Sequence, residues 1–469
     1  MKLPDEFLQS LQGVPGFDEE SFVTVHQKEE GVTSIRTNPA KWPEAGEEPQ
    51  AAEGYASPLT AQYSPVSWSG YGRYLQQRPS FTFDPLFHAG CYYVQEASSM
   101  FMEQAVKQLT DSSKPLNVLD LCAAPGGKST HLQSLLSPGS LVVSNEFIKQ
   151  RSIVLTDNII KWGCSNVFVA NNDPKAFQKL GGFFDLMVVD APCSGSGLFR
   201  KDRDAISEWS LHNVELCSQR QQRILNDALP SLKENGILVY STCSYSAEEN
   251  EKIMDWLAAE KGMENIKLST TDNNIVVTKS GSTFSTGYRF YPDKIQGEGF
   301  FLACFRKKGE DPSPRWKGAK PDAVSVREKS ILKDWVNLEG MEVVRFREGL
   351  SAVPESRLQD FLRLQSLLNM SYAGVALGAI LKEKLVPHHA LAQSMLLSTN
   401  VPCTDLPYNE AIRYLQRQDI STVPEMPGWQ VVRFEKKPLG WINALKNRVN
   451  NYYPKEIRIL KHNNTPFAK

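Results

Sequence analysis

An α/β fold built on a mostly parallel, Rossmann-like sheet of seven strands follows from three features of the sequence. From residue 117 onward short apolar runs alternate with helical stretches, the pattern of parallel strands joined by crossover helices. The first unit, Asn117 to Lys128, is an apolar run (Val118, Leu119, Leu121) that leads into Gly126-Gly127 and then into Ser129 to Leu136 as a helix. A buried strand, a glycine turn and a helix start make a nucleotide-sized binding site. Third, Glu146, Asp173, Asp190, Cys193 and Cys243 all fall at the carboxyl ends of predicted strands, the edge where open α/β sheets bind ligands.

The elements follow in order. Residues 1 to 38 mix short helical and strand-like pieces, and Ser34 to Asn38 reads as a strand end entering a loop. Prolines at 39, 43, 49, 58, 65 and 79, with an acidic patch from Glu44 to Glu53, predict a long loop. Gly90 to Gln95 reads as a turn and strand, and Glu96 to Leu109 as a helix into the central domain. Strands are expected at 117–121, 140–146, 166–171, 185–190, 236–243, 288–290 and 299–305, with helices at 129–136, 148–162, 207–232 and 248–258. Asp311 to Pro321, with three prolines, is a linker. Residues 322–400 read as mostly helical, and 401–469 as short strands and turns. The expected organisation is an N-terminal α+β module (1–105), a catalytic α/β domain (106–310), a first C-terminal module (311–400) and a last module (401–469).

Composition bounds the function. A chain of 469 residues with 41% apolar and 22% charged residues is a globular protein of two to four domains. Residues 1–20 are acidic and interrupted by Pro4, Gly13 and Pro15, unlike a signal peptide, and no run of eighteen apolar residues suggests a membrane span. Eight scattered cysteines without a C-x-x-C pair argue against a metal framework and for reduced thiols in a cytoplasm. The net charge of −1 hides an asymmetry: residues 429–469 carry nine basic and two acidic residues. Trp429, Phe434, Trp441, Tyr452 and Tyr453 lie among Arg433, Lys436, Lys437, Lys446, Arg448 and Lys455. Aromatics among cations suit base stacking and phosphate neutralisation, against the plainer alternatives of core aromatics and a solvated basic face.

What does the glycine turn bind? Gly127-Lys128-Ser129 matches the end of a phosphate-binding loop, but that motif needs glycine at 122, where this chain has Cys. A dinucleotide G-x-G-x-x-G is absent. S-adenosylmethionine has no pyrophosphate and needs only close backbone approach plus a carboxylate for its ribose. Glu146, twenty residues after Gly126, stands where that carboxylate is expected. The plainer reading of Glu146 is an exposed acid at a strand end.

The cysteines at the same edge suit one chemistry. Carbon 5 of cytosine is too weak a nucleophile to take a methyl group unaided; a thiolate adding to C6 turns the ring into an enamine whose C5 can. Cys193 and Cys243 are both candidate nucleophiles, or small buried hydrophobes at strand ends. Asp190 is placed to pin a base edge or the adenosine of the cofactor.

Asp120-Leu-Cys-Ala-Ala-Pro-Gly-Gly-Lys, Asp190-Ala-Pro-Cys-Ser-Gly-Ser-Gly, Tyr240-Ser-Thr-Cys-Ser and Gly297-Glu-Gly-Phe-Phe-Leu-Ala resemble, in order, the signature motifs of the NOP/Sun RNA cytosine-C5 methyltransferases. Tyr93-Val-Gln-Glu-Ala-Ser-Ser resembles the segment before that family's catalytic domain. The tail, with Pro438-Leu-Gly-Trp and Asn450-Asn-Tyr-Tyr-Pro-Lys, resembles a bacterial member that methylates the decoding region of 16S ribosomal RNA and ends in a PUA-like RNA-binding domain. The resemblance implies a Rossmann-like S-adenosylmethionine-dependent methyltransferase domain with RNA-binding N-terminal and PUA-like C-terminal modules. It implies Cys243 as nucleophile and Cys193 as the aid to release; spacing alone does not rank them. The cofactor would be held by Cys122, Ala123, Ala124, Pro125, Gly126, Gly127, Lys128, Glu146, Asp173 and Asp190. The expected substrate is a cytosine of 16S ribosomal RNA in the small subunit, and the expected enzyme is a cytoplasmic monomer without metal. Rival readings are the same reaction on transfer RNA or another ribosomal cytosine, a non-catalytic ribosome-assembly factor, and a P-loop hydrolase.

Overall fold

Seven strands form the middle of one large sheet: Asn117–Asp120 (β1), Leu141–Asn145 (β2), Val167–Ala170 (β3), Phe184–Asp190 (β4), Leu232–Thr242 (β5), Thr286–Phe290 (β6) and Phe300–Arg306 (β7). The computed structural model describes residues 2–28, 31–42, 55, 57–59, 62–309, 316–422 and 426–461. The strand order is β3-β2-β1-β4-β5-β7-β6. β1 to β5 pair in parallel, and β7 runs antiparallel to both β5 and β6. The order reverses between β1 and β4, so the carboxyl ends of these two strands open onto a crevice.

The apolar runs are continuous because both faces are covered. Val118, Val142, Val169, Val188 and Val239 face one layer, with Leu132, Leu155 and Ile159 of helices Gly127–Leu135 (α1) and Lys149–Trp162 (α2). Leu119, Val143, Phe168, Met187 and Leu238 face the other, with Ile224, Leu225, Ile253 and Met254 of helices Leu211–Ala228 (α3) and Glu251–Ala259 (α4). The single helix expected at 207–232 is two, Asp204–Glu208 and α3. Ser210 divides them, its extended backbone and its side chain, which accepts from the Asn213 N–H, capping α3.

The sheet exceeds the seven strands expected, reaching ten. Val276–Lys279 pairs with β6 and Glu264–Ile266 with β7; both are short and half polar, which hid them. The tenth, Met370–Ala373, comes from the segment beyond residue 310 and pairs antiparallel with β3. The first C-terminal module is therefore stitched into the catalytic sheet.

That module is not mostly helical. Met341–Phe346, Gly349–Pro354, Val375–Leu381 and Lys384–Pro387 form a four-stranded antiparallel sheet, beside helices Val326–Leu332, Leu358–Leu367 and His389–Gln393. The turn joining its last two strands carries no Asn-Gly or Gly signal. Lys382-Glu383 takes positive φ at both residues, and so does Glu435-Lys436 in the last module, as tight primed hairpin turns require. Charged pairs in those seats look like helix surface.

Two strands, Tyr63–Pro65 and Gly72–Leu75, lie in the expected 39–79 loop and join Thr33–Thr37 and Tyr92–Val94 in an N-terminal sheet. The acidic patch at 44–53 lies outside the described residues. Cys403–Asp405, Gly428–Phe434, Lys437–Leu445 and Arg448–Asn451 make the last sheet, and Tyr408–Leu415 is a helix within it. The modules interlock. Phe7 and Phe22 pack with Phe199, Trp209 and Tyr245 of the catalytic domain, and Ile35, Leu86 and Tyr92 share a core with Tyr414, Phe434 and Ile442.

Candidate active site

The turn after β1 brings the backbone close to its neighbours. Gly126 sits at φ 114°, a left-handed conformation that favours glycine, and caps α1. A Cβ at Gly127 would meet the Tyr93 ring at 3.2 Å and the Gln95 amide at 3.7 Å. Those two residues and the turn enclose a cavity of about 170 Å3, lined by Tyr93, Val94, Gln95, Glu96, Ser99, Cys122, Ala123, Ala124, Pro125, Gly127, Lys128 and Asp190. Seven of the ten expected cofactor residues line it. Gly126 shapes the turn from behind. Glu146 is buried and occupied: its carboxylate accepts from the Ile148 N–H at 2.8 Å and lies 3.3 Å from Arg151, which also donates to the Ala124 carbonyl. Asp173 caps the turn after β3 by accepting from the Lys175 N–H and does not line the cavity.

One wall was missed from sequence. Tyr93 to Glu96 and Ser99 belong to the N-terminal module, expected to serve RNA. They are held on the turn by Arg36, fully buried, which donates to the Gln95 side chain at 2.8 Å, to Thr130 at 2.6 Å and to the Gly127 carbonyl at 3.2 Å. The Tyr93-to-Ser99 motif was the available signal.

Lys128 and Asp190 form an ion pair at 2.7 Å, and Asp190 also accepts from Ser241 at 2.8 Å. Burial works to lower the Lys128 pKa, but the charge and hydrogen bond of Asp190 outweigh it and raise it, so the lysine stays cationic; Asp120 and Cys243 add to this. Behind them Asp120 is fully buried, and burial pushes its carboxyl up to about 7 against the hydrogen bond from Ser129 at 2.6 Å. Its second oxygen has no hydrogen-bond partner among the described residues.

β4 and β5 are adjacent and parallel, and each runs straight into a cysteine turn: Asp190-Ala-Pro-Cys193 and Thr242-Cys243. The thiols meet at 3.1 Å. The Cys193 thiol is pushed well above its usual range by its contact with Cys243, by burial and by nearby negative charge, including Glu249. Close glycine packing closes the turns together. The Gly197 N–H donates to the Cys243 carbonyl at 2.7 Å, and a Cβ at Gly197 would lie 2.5 Å from the Gly299 carbonyl. Lys128 lies 5.4 Å from the Phe300 ring, which brings the motif around Gly299 to the same edge. A larger groove of about 770 Å3 between residues 329–343 and 395–399 contains no thiol, so size alone does not mark the site.

The expected aromatic face is mostly core. Phe434, Trp441 and Tyr453 are buried, while Trp429 is half-buried and Tyr452 is exposed, their rings 4.4 Å apart. Arg433 is engaged by Asp405 at 2.7 Å; Lys446, Arg448 and Lys455 are exposed. Among the described residues no cluster of three or more His, Cys, Asp or Glu is arranged to hold a metal, and no helix is long and apolar enough to cross a membrane.

Three family models match the chain in order: the N-terminal domain of 16S rRNA methyltransferase RsmF over residues 3–97, 16S rRNA methyltransferase RsmB/F over 108–306, and the methyltransferase RsmF PUA domain over 401–459. The ribosomal RNA small subunit methyltransferase F of Erwinia tasmaniensis is 26% identical over 417 residues, covering 84% of each chain. That of Cronobacter sakazakii is 29% identical over 426 residues, covering 86% of each. The crystal structure of a methyltransferase homolog from Pyrococcus horikoshii, 27% identical, aligns with a TM-score of 0.50 over 65% of this chain and 100% of the other.

Proposed function

The chain belongs to the RsmB/F family of 16S ribosomal RNA methyltransferases, and from that premise we propose that it methylates carbon 5 of a cytosine in 16S ribosomal RNA of the small subunit. It acts as a single chain in the cytoplasm, and its methyl donor is S-adenosylmethionine. The observation that carries the reading is the pair of thiols, 3.1 Å apart, just beyond the ends of adjacent parallel strands, one of which ends in Asp190.

The cavity beside the glycine turn fits the donor. A side chain at Gly127 would crowd it, and Asp190 with the ion-paired Lys128 lies on its wall. When bound there, S-adenosylmethionine supplies an electrophilic methyl group. Glu146, tied to Arg151, is the acid for its ribose hydroxyls, and Asp173 is a further cofactor contact; neither lines the cavity itself.

The chain's own residues do the rest. The Cys243 thiolate adds to C6 of the cytosine, and the ring electron pair moves to C5, which takes the methyl group. A base then removes the C5 proton and the Cys243–C6 bond breaks, restoring the C5–C6 double bond. The resemblance of the Thr242-Cys243 and Pro192-Cys193 motifs supports Cys243 as nucleophile and Cys193 as the group that serves release. Asp190, fixed by Lys128 and Ser241, is oriented to hold the amino edge of the base. Swinging a paired base out of its stack costs a few kcal/mol, which contacts from the N-terminal and PUA modules to the RNA backbone offset.

The test is methyl transfer from labelled S-adenosylmethionine into naked 16S RNA and into small subunits from cells lacking the gene, with the product mapped by mass spectrometry. The expected product is 5-methylcytosine at a defined position. Label at another ring atom, or in neither substrate, overturns the reading.

A further inference from the structure

The two cysteine turns share no strand and no helix, yet their thiols meet. A single carboxylate joins them. Glu249 lies just before α4 and is fully buried. One of its oxygens accepts from the Ser194 backbone N–H at 2.9 Å and from the Gln221 amide at 3.1 Å. The other accepts from the Ser194 and Ser244 hydroxyls, each at 2.5 Å. Ser194 follows Cys193 and Ser244 follows Cys243. Burial raises the Glu249 carboxyl above its usual range, and the hydrogen bonds from these four donors work against that rise. Gln221 is braced in turn by the Tyr240 hydroxyl, which donates to it at 3.0 Å, and Gln221 also donates to the Pro192 carbonyl at 3.0 Å, so the bracket reaches the peptide before Cys193. Asn250, next in sequence, ties the Cys243 turn from its other side: it accepts from Thr242 and donates to the Ser244 carbonyl, both at 2.7 Å.

Resting on the proposed thiol chemistry, we propose that Glu249 is a positioning residue that brackets the two turns and sets the spacing of Cys193 from Cys243. It touches neither reacting sulfur. Loosening it separates the thiol that attacks from the thiol that serves release. The adduct then forms and leaves slowly, while cofactor binding, built on the β1 turn, is untouched.

The test uses the full chain with Glu249→Gln, which preserves volume but turns one acceptor into a donor, and with Ser194→Ala, Ser244→Ala and their double. Turnover on RNA is expected to fall at least tenfold in Glu249→Gln and in the serine double. Cofactor Kd is expected to stay within twofold, and protein–RNA adduct is expected to accumulate on denaturing gels. An activity-free readout is oxidation by diamide, in which two thiols become one disulfide and diamide becomes its hydrazine. The Cys193–Cys243 disulfide is expected to form at least tenfold more slowly in these variants than in the wild type. Wild-type turnover and diamide rate in a folded Glu249→Gln overturn the proposal, and so does lost turnover with an unchanged diamide rate. If Glu249→Gln does not fold, the serine variants decide by the same two readouts. If the wild type methylates no cytosine, the proposed reaction fails, but the diamide rates still decide whether Glu249 spaces the thiols.

Discussion

The carboxyl edge of the central sheet and the basic C-terminal sheet were both read as functional surfaces, and they differ in how their side chains are placed. At the sheet edge, chain topology decides position. Asp190, Cys193 and Cys243 end up together because β4 and β5 are parallel neighbours, whatever the composition around them. In the C-terminal sheet nothing but composition pointed outward. Phe434, Trp441 and Tyr453 turned inward to fill a core shared with the N-terminal module and the 311–400 segment. Aromatics interleaved with lysines describe a folded half-buried sheet as well as they describe a stacking platform. Strand ends in a parallel sheet have no such second meaning.

The contrast breaks or sharpens by substitution. The largest effect is expected for Cys243→Ala, which should lower methyl transfer by more than about a thousandfold with cofactor Kd nearly unchanged. Retained turnover, measured by label incorporation, would dissolve the distinction between the two regions. Trp441→Ala should cost about 3–5 kcal/mol in urea unfolding, as a core cavity does, and Tyr452→Ala should stay within about 0.5 kcal/mol. The reverse order would return Trp441 to the surface. In RNA binding, Tyr452→Ala is expected to lose about 1 kcal/mol or more if it stacks on a base.

A subtler probe is Asp120. Its carboxyl titrates at about 7 in the folded chain, above the ordinary 3.8, so the native state binds this proton more tightly than the unfolded one. Stability should therefore fall as pH rises from about 4 through 7, by at most about 4 kcal/mol. Asp120→Asn, which can still accept from Ser129, should flatten that slope in chemical denaturation. An unchanged slope would mean that the carboxyl is not held neutral by its burial.

Most of the catalytic sheet was legible because strands buried on both faces announce themselves as apolar runs at βαβ spacing. The edge strands at 264–266 and 276–279 were not, being short and half polar. The 375–387 hairpin was hidden for a different reason: Lys382-Glu383 does the work of Asn-Gly, and only the backbone geometry reveals it. In the site, the residues of the glycine turn and both cysteines could be named from sequence. The wall formed by Tyr93 to Ser99 bears a motif that does not by itself point to the pocket, since its contact with Gly127 depends on Arg36 joining two modules. Glu249 carried no signal at all. A glutamate before a helix is unremarked in sequence until four donors are seen around it.

The central claim is that two adjacent thiols divide the chemistry, Cys243 bonding the base and Cys193 serving its release. The most direct measurement is to incubate Cys193→Ala with substrate RNA and S-adenosylmethionine, denature, digest, and map the cross-linked peptide by mass spectrometry. The account predicts an accumulated adduct with methylated cytosine on the peptide containing Cys243. A nucleotide attached elsewhere, or full turnover with no adduct, would contradict it.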